Sequence, residues 1–311
     1  IYNTYLRQLE KGTIDVDNEN VELIYFIYQQ LLICKIYDNW FDSYDIEAVL
    51  FAHEKYSRSG GLARVALLHN AETYNLKNLR RELIDRTYIP SEHNKFFVYE
   101  PKLRLIYSPS YRDKIVHHAV NNILRDIVEP TFIYDSYACI RGKGNQRAIR
   151  RLLHFTRNAS RQYNNPYVIK IDIKKFFYSI DHDVMCAVID KEVPCEWLRW
   201  ILKLYVRHSP TPVGLPLGNL LSQILVNIMM NTFDQWCKRN MKIGFYLRYS
   251  DDIIAIVDGK DEANTKKHAM TRFLIDVLLL ECHPKKTLIH PLSQGTKAFG
   301  FTVNTRGIFM T

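Results

Sequence analysis

One short stretch, Phe245–Val257, constrains the fold of this chain more than any other part of it. Two β-rich arms flank a polar turn of Ser250, Asp251 and Asp252, and this pattern predicts a β-hairpin with adjacent carboxylates at its tip. Aspartate is also an ordinary turn residue, which is the simplest interpretation of the pair. Because the second arm is almost wholly apolar, however, the hairpin is expected in a core. Two neighbouring acids there repel each other and lose hydration unless a cation such as a divalent metal lies between them.

A third carboxylate follows a predicted strand earlier in the chain. The segment Tyr167–Asp172 alternates apolar and polar residues, which predicts a central strand that presents Asp172 at its C-terminal end. In the simpler interpretation, this aspartate caps the next helix. In the other, Asp172 joins Asp251 and Asp252 as a ligand of two hard cations about 4 Å apart, an arrangement that suits in-line phosphoryl transfer.

Positive charge is concentrated in one region of the chain. The formal net charge of +9 favours a polyanionic partner, and residues 141–161 contain seven cations and no acid. On the helix predicted after Gly144, most of these cations lie along one side. Such a stripe is often only a solvated helix face, but the mutual repulsion favours a nucleic-acid backbone as partner. The cations are Arg141, Lys143, Arg147, Arg150, Arg151, Arg157 and Arg161.

Two further segments carry candidate ligands for a phosphate or a base. Residues 95–107 predict two strands joined by a turn, and Lys102 and Arg104 share one face of the second strand, either as a phosphate grip or as a solvated basic edge. The glycine turn Gly214–Gly218 opens a predicted long helix, 219–238, with a polar stripe at four-residue spacing. This stripe lies either at a solvent boundary or along a template strand, and its members are Asn219, Gln223, Asn227 and Asn231.

The remaining features are less specific. Lys285 and Lys286 lie in a predicted turn before a strand, where they are either solvated or placed so that one of them protonates a pyrophosphate leaving group. Residues 298–303 predict a short apolar strand with a central glycine. His117 and His118 lie on a predicted helix and are given no chemistry, because a histidine pair without nearby partners is usually structural or exposed.

The composition indicates a folded intracellular protein. The six cysteines are scattered without a CxxC pair, so neither a zinc site nor a disulfide framework is predicted, and the reducing cytoplasm is the expected location. No signal peptide is evident. The most apolar early segment, Val21–Tyr37, contains charged and amide side chains, so no membrane-spanning segment is predicted.

Taken in order, these segments resemble the sequence blocks of reverse transcriptases. Tyr249–Asp252 resembles the Tyr-x-Asp-Asp box, and Asp172–Asp181 resembles the block with the first catalytic aspartate. A lone tetrapeptide recurs by chance, whereas six blocks in order make a specific signal over about residues 70–303. The other four are Lys102–Ile106 in the fingers, Gly214–Gln223 with its long helix, the lysine block His283–Ile289 and the primer grip Phe299–Phe301.

Within this family, the chain is most similar to bacterial enzymes of the group II intron-like branch, especially those of diversity-generating retroelements. The resemblance is carried by Asp135–Cys139 before a Gly-Lys-Gly turn, by Gly214–Asn219, and by Ser222 and Gln223, where most relatives have Ser-Pro. Leu217 stands where related enzymes usually carry glutamine. In the diversity-generating enzymes an aliphatic residue there goes with error-prone copying opposite template adenine.

The resemblance implies a right-hand polymerase of the α+β class, with fingers and an antiparallel-sheet palm that has a ferredoxin-like core. The sequence stops ten residues after Phe301, so most of the thumb of this family is expected to be absent or to lie beyond this sequence. The implied segments are an N-terminal helical extension (1–60), fingers (61–165), a palm with the catalytic site (166–298) and the primer grip with the start of the thumb (299–311).

The implied function is RNA-directed DNA polymerisation with two Mg²⁺ ions, for which Mn²⁺ can substitute. The implied catalytic residues are Asp172, Asp251 and Asp252, and the metal site adds Ile173. The implied nucleotide-binding residues are Lys102, Arg104, Phe176, Phe177 (the steric gate against a 2′-hydroxyl), Leu217, Gly218, Gln223 and Lys286. The implied nucleic-acid-binding residues are Arg141, Lys143, Arg147, Arg150, Arg151, Asn219, Asn227, Tyr249, Phe299, Gly300 and Phe301.

The expected partners are an RNA template, a DNA or RNA primer and dNTPs, without a membrane. A diversity-generating element would add a small basic accessory protein that binds the template RNA. Two other functions stay open at this stage. One is a related polymerase of antiphage defence with the same site, and the other is a catalytically silent nucleic-acid-binding scaffold, against which the three intact acids argue.

Overall fold

The structure is a computed structural model that describes residues 73–99, 103–217 and 219–310. The predicted helical extension 1–60, Lys102 and Gly218 lie outside the described residues. The chain divides into two compact units, residues 1–89 and 90–311. In the first unit, helix α1 spans Thr73–Ile84.

The second unit contains an antiparallel sheet surrounded by helices. The helices are α2 (Tyr111–Val128), α3 (Asn145–Gln162), α4 (His182–Glu192), α5 (Glu196–Arg207), α6 (Leu220–Arg239) and α7 (Lys260–Asp276). The strands are β1 (Asn94–Tyr99), β2 (Leu103–Ser108), β3 (Pro166–Asp172), β4 (Phe245–Tyr249), β5 (Asp252–Asp258), β6 (Leu288–Pro291), β7 (Thr296–Ala298), β8 (Phe301–Val303) and β9 (Ile308–Met310). None of these described helices is both long and apolar enough to cross a membrane.

The central sheet has four antiparallel strands in the order β4-β5-β3-β6. Its two inner strands are rich in β-branched residues, which suit a pleated surface, and Ile169, Ile171, Ile253 and Ile254 are fully buried or nearly so. Strand β3 is flanked by β5 on one side and β6 on the other. The predictions of an antiparallel sheet and of a central strand ending at Asp172 are therefore confirmed.

Helices cover both faces of this sheet. Side chains alternate between the faces with period two, so Val168, Leu247 and Ile254 point to one face, where they pack in one buried cluster with Leu152 and Phe155 of α3. On the other face, α6 contacts β4 and α7 contacts β3, β5 and β6. Fully burying one such aliphatic side chain contributes about 2 kcal/mol, so both faces are stabilised by the hydrophobic effect.

The residue that caps the helix after β3 is Asp181. Its side chain accepts hydrogen bonds from the backbone nitrogens of Asp183 and Val184, the geometry of an N-cap. The simpler interpretation of Asp172, as a helix cap, is therefore wrong, because another aspartate performs that role. The carboxylate of Asp172 is left at the strand end.

The segment 298–303 is not one strand. Strand β7 ends at Ala298 and pairs antiparallel with β8, which begins at Phe301. Phe299 and Gly300 form the two-residue loop, with φ angles of 56° and 84°, and positive φ at both central positions is the requirement of a type I′ hairpin. The glycine that was assigned to a strand interior marks the turn.

His117 on helix α2 packs against Tyr205 of α5, which in turn contacts Ser222 of α6. Its imidazole is 5% exposed and meets the ring of Tyr205 edge to face at 5.0 Å, and the Tyr205 hydroxyl is 2.7 Å from the Ser222 hydroxyl. Burial lowers the pKa of His117 to about 4, against the opposing charge of Asp113. The folded protein therefore holds this histidine neutral.

We predict that His117 makes the fold sensitive to acid. Its folded pKa lies below its unfolded value of 6.5, so its stabilising effect is complete above pH 6.5 and is lost progressively as the pH falls towards about 4, by up to about 3 kcal/mol. Urea unfolding of the wild type and of His117→Gln across this interval measures the effect. The wild type should lose more stability than the variant, and His118→Gln, which changes the neighbouring histidine, should behave like the wild type. Parallel pH profiles for the wild type and His117→Gln would contradict the assignment.

Candidate active site

The structure brings the three predicted carboxylates to one edge of the sheet. Asp172 at the end of β3 is the direct antiparallel partner of Asp252 at the start of β5, and directly opposed residues have Cβ atoms about 5 Å apart. Tyr249 also pairs with Asp252, which leaves Ser250 and Asp251 as the two-residue loop of the hairpin. The backbone nitrogen of Ile173 donates to the Asp251 carbonyl at 3.4 Å. Residues about 80 positions apart in the chain are thus adjacent in space.

The hairpin turn is conformationally strained. Ser250 has a φ of 56°, a left-handed conformation that a residue with a side chain adopts at a cost of about 1 kcal/mol or more. Such strain persists where surrounding contacts hold it. Beside the turn, the Tyr249 ring packs against Phe299 of the β7–β8 hairpin, with ring centroids 5.0 Å apart.

Burial and like charge perturb the two acids of the turn. Burial raises the pKa of Asp251, and the nearby carboxylates of Asp252 and Asp172 raise it further. Burial also raises the pKa of Asp252, with Asp172 adding to the effect and Lys170 opposing it. The site therefore carries more negative charge than its own surroundings neutralise.

Two lysines supply part of the missing positive charge. The Lys286 ammonium lies 2.9 Å and 3.2 Å from the two carboxylate oxygens of Asp172, and this contact raises the pKa of Lys286. The Lys170 ammonium lies 3.7 Å from an Asp252 oxygen. Of the alternatives for the lysine turn, the structure supports the one that places a lysine at the carboxylates, and that lysine is Lys286.

The carboxylates match a hard divalent cation in donor chemistry. Asp172, Asp251 and Asp252 offer the charged oxygens that Mg²⁺ prefers. The pKa values of Asp251 and Asp252 are raised, which indicates that nearby cations neutralise their negative charge only in part. Among the described residues, no three His, Cys, Asp or Glu side chains converge closely enough to share one ion. In this arrangement Asp172 turns to Lys286.

A buried arginine supports the turn that contains Ser250 and Asp251. Arg248 and Asp234 are both fully buried, and the guanidinium meets the Asp234 carboxylate through contacts of 2.8 Å and 2.9 Å. The same guanidinium donates to the Ser250 carbonyl at 3.2 Å and to the Ser136 hydroxyl at 2.9 Å. Tyr246 completes the set by donating its hydroxyl proton to Asp234 at 2.6 Å. Sequence reasoning missed this pair, although an arginine within an otherwise apolar β arm was a usable signal.

The glycine turn before α6 is fixed against the loop after β3. A Cβ atom at Gly214 would lie 2.8 Å from the backbone of Phe177 and Tyr178, and its φ of 93° also favours glycine. The Leu215 nitrogen donates to the Phe177 carbonyl at 2.7 Å, and the Ser222 hydroxyl donates to the Pro216 carbonyl at 2.7 Å. The structure therefore brings the predicted steric gate close to the turn that carries Leu217.

The predicted nucleotide-binding residues differ in exposure. Phe177, Leu217 and Gln223 are partly exposed, as a nucleotide contact requires. Phe176 is 4% exposed and packs against Phe177 with ring centroids 5.6 Å apart, so its assignment to nucleotide binding is corrected to core packing. Arg104 lies on β2 opposite Val98.

Three members of the polar stripe on α6, Asn219, Asn227 and Asn231, are buried in the protein interior. Asn219 is the N-cap of the helix and accepts from the Leu221 nitrogen at 3.3 Å. Asn227 is 1% exposed, donates to the Ala138 carbonyl at 2.8 Å and accepts from Arg248 at 3.2 Å. The prediction that Asn219 and Asn227 bind nucleic acid is therefore wrong, because α6 is a central helix whose amides satisfy buried partners. The solvent-boundary alternative is wrong for these residues too.

Acids from other parts of the chain neutralise some of the cations in the basic segment 141–161. Arg141 pairs with Asp126 at 2.6 Å, Arg151 pairs with Asp135 at 2.8 Å, and Arg157 donates to the Thr305 carbonyl at 3.2 Å. Acids from other parts of the chain thus neutralise cations that have no acid near them in sequence. Among the described residues, the segment's arginines that form no ion pair or hydrogen bond are Arg147, Arg150 and Arg161.

Residues 93–303 match the family model described as reverse transcriptase (RNA-dependent DNA polymerase). The chain belongs to the reverse transcriptase family. Its relatives include the group II intron-encoded protein LtrA of Lactococcus lactis, which is 21% identical over 81% of this chain and 54% of its own length. Protein YkfC of Escherichia coli is 24% identical over 71% of this chain and 68% of its own length. The prediction of a group II intron-like reverse transcriptase is confirmed, and the chain spans about half the length of the intron-encoded relative.

Solved structures of telomerases share the fold of this reverse transcriptase. The apo telomerase of Candida tropicalis, truncated from its C-terminal domain, superposes with a TM-score of 0.54 at 13% identity, over 77% of this chain and 60% of the telomerase. A telomerase of Candida albicans, solved with a fragment of telomeric RNA, has the same TM-score at 10% identity, over 78% of this chain and 50% of that one. The predicted fold class, an α+β polymerase with fingers and an antiparallel palm, is confirmed.

We predict that Arg248 is essential for stability because of the charge it neutralises. Replacing it in Arg248→Met leaves the fully buried carboxylate of Asp234 unpaired, which should lower the free energy of unfolding by about 3–5 kcal/mol. Urea denaturation measures the loss. The double variant Arg248→Met with Asp234→Asn removes the orphan charge and should recover part of the stability. A single variant within about 1 kcal/mol of the wild type would show that the ion pair is not a major support.

Proposed function

We propose that this reverse transcriptase is an active RNA-directed DNA polymerase. The observation that carries the proposal is the direct pairing of Asp172 with Asp252, beside Asp251, at one edge of the palm sheet. Asp251 and Asp252, whose pKa values are raised, lie beside Asp172, and two lysines contact this group of acids, which makes a centre suited to phosphate chemistry. Membership of the family supports the same reaction.

In this proposal, the three aspartates hold two Mg²⁺ ions, with Mn²⁺ able to substitute, and Ile173 lies beside the first ligand. When bound there, the ions would supply Lewis-acid stabilisation of the charge on the transferring phosphoryl group. The chain itself contributes mainly position and electrostatics, which dominate phosphoryl-transfer catalysis. Lys286 lies beside Asp172. In this proposal it protonates the pyrophosphate leaving group or neutralises its charge.

The same proposal assigns the substrate contacts. Phe177 excludes the 2′-hydroxyl of a ribonucleotide, and the fixed turn from Gly214 presents Leu217 and Gln223 to the templating base. Tyr249 and the Phe299–Phe301 hairpin, which pack together, hold the primer end. Lys102 and Arg104 remain predicted contacts to the triphosphate, and Gly218 remains a predicted contact to the template base. The template is RNA, the primer is DNA or RNA, and the reaction takes place in the cytoplasm.

We predict that the purified protein extends a primer on an RNA template with dNTPs and Mg²⁺. Asp252→Asn removes a charge from the proposed metal site and should reduce extension by at least about 10³-fold. The control Asp261→Asn removes an equal charge from the exposed first turn of α7 and should extend at the wild-type rate. If the wild type gives no product with either Mg²⁺ or Mn²⁺, or if Asp252→Asn is fully active, the proposal fails.

We further propose that the protein copies with low fidelity as part of a diversity-generating retroelement. The support is the resemblance of the turn Gly214–Asn219 and of Ser222-Gln223, together with the aliphatic Leu217 at a partly exposed position of a rigid turn. An alkyl group cannot hydrogen-bond to an incoming nucleotide or a template base, so base-pair geometry there is less constrained. A small basic accessory protein would then hold the template RNA. Sequencing the RNA that copurifies with the protein separates this role from antiphage defence.

We predict that Leu217→Gln lowers misincorporation opposite template adenine. The amide restores a hydrogen-bonding group where the wild type has an alkyl group, and about 1 kcal/mol of discrimination corresponds to an error rate lower by about fivefold. Sequencing of cDNA copied from an adenine-rich RNA measures it. The control Val213→Gln introduces the same amide at an exposed position of the same loop and should keep the wild-type error spectrum. Equal spectra for all three proteins would rule out a fidelity role for Leu217.

A further inference from the structure

A basic pocket lies between helix α3 and the loop that precedes it. The cavity has a volume of about 360 Å³, within the range of small-molecule sites. Its lining contains four cationic side chains, two tyrosines and a histidine, and no acid. A pocket with this lining attracts a ligand that carries negative charge and a flat apolar surface.

Two of the four cations are structural. The Lys143 ammonium donates to the carbonyls of Tyr134 and Ser136 at 2.6 Å and 2.9 Å, and the Arg151 guanidinium pairs with Asp135 at 2.8 Å. Both also lie 5.2 Å from the centre of the Tyr134 ring. These contacts hold the loop and the tyrosine in place before any ligand arrives.

The other two cations are available. Arg147 and Arg150 are exposed, and their guanidinium groups form no ion pair or hydrogen bond within the described ranges. Residues three apart on a helix are neighbours on its surface, so both guanidinium groups present their donors to the same opening. Guanidinium groups bind phosphate oxygens through paired hydrogen bonds, and two of them side by side match consecutive phosphodiesters.

Tyr134 gives the pocket an aromatic wall. The residue is 71% exposed, which is unusual for a large ring that is also fixed by two cations. Unstacked bases of single-stranded RNA lie on exposed aromatic rings and on guanidinium planes, whereas a base within a duplex cannot enter a concave pocket. The combination of an exposed ring and free arginines therefore distinguishes single strands from duplexes.

We propose that this pocket binds a nucleotide of single-stranded RNA, with its base against Tyr134 and its neighbouring phosphates on Arg147 and Arg150. The inference deepens the proposed polymerase function and rests on it. The Tyr137 nitrogen donates to the carbonyl of Arg248 at 3.0 Å, and Arg248 precedes Asp251 by three residues, so the pocket loop lies on the order of 10 Å from the catalytic turn.

The test uses a fluorescein-labelled, unstructured RNA oligonucleotide and the full chain, with binding followed by anisotropy over a series of salt concentrations. Removing two phosphate contacts in Arg147→Gln with Arg150→Gln should reduce the slope of log affinity against log salt by about 1.4. The control Arg161→Gln removes an unpaired arginine from the last turn of the same helix and should leave the slope almost unchanged. Thermal melts confirm that each variant is folded.

A second variant separates stacking from charge. Tyr134→Ala should weaken binding of the single strand by about tenfold without changing the salt slope, because stacking releases no counterions. Tyr134→Phe keeps the ring and should bind like the wild type, and a blunt RNA duplex should bind all tyrosine variants equally. An unchanged slope for the double arginine variant, or equal effects of Tyr134→Ala on single strand and duplex, would overturn the proposal.

Primer extension by the wild type distinguishes this inference from the proposed function. Extension together with a salt slope that does not respond to Arg147 and Arg150 leaves the polymerase standing and removes the pocket. Salt and stacking effects of the expected size without any extension assign the pocket to RNA binding and remove the polymerase.

Discussion

The edge of the sheet that carries Asp172, Asp251 and Asp252 depends on one buried ion pair. Arg248 and Asp234 are both fully buried. Each neutralises the charge of the other, because a lone buried charge destabilises the fold far more than a hydrogen-bonded pair. The arginine also reaches the carbonyl of Ser250 and the hydroxyl of Ser136. It thereby connects the long helix, the loop before α3 and the strained turn that carries two of the three acids. Such a connection holds Ser250 in a conformation that its own side chain disfavours.

Sequence patterns were sufficient for the elements and for the meeting of the acids. The alternation in Tyr167–Asp172 and the paired arms around Asp251 predicted the strands, and the register that places Asp172 opposite Asp252 was added by the structure. The resemblance to reverse transcriptases then predicted the fold class. The strand patterns depend only on neighbouring residues, and the blocks follow the order known for the family, so both can be read from the sequence alone.

The errors came where the partner of a side chain is distant in sequence. Asn227 is polar on an apolar helix, and nothing in its neighbours indicates that Ala138 and Arg248 satisfy it. Likewise, the acids that neutralise Arg141 and Arg151 lie outside the basic segment. The turn at Phe299 and Gly300 was hidden because an aromatic residue rarely adopts a left-handed conformation.

The tight contact at Gly214 has a consequence for how this enzyme can change. The backbone of Phe177 and Tyr178 lies so close that a single methyl group at Gly214 would separate the two loops. The loop proposed to discriminate between sugars and the loop proposed to tolerate mismatched bases are therefore mechanically coupled. A mutation that moves the Phe177 loop would also displace the turn that carries Leu217, so it would alter both properties at once. Selection for altered copying accuracy is then channelled into exchanges of side chains upon an unchanged backbone.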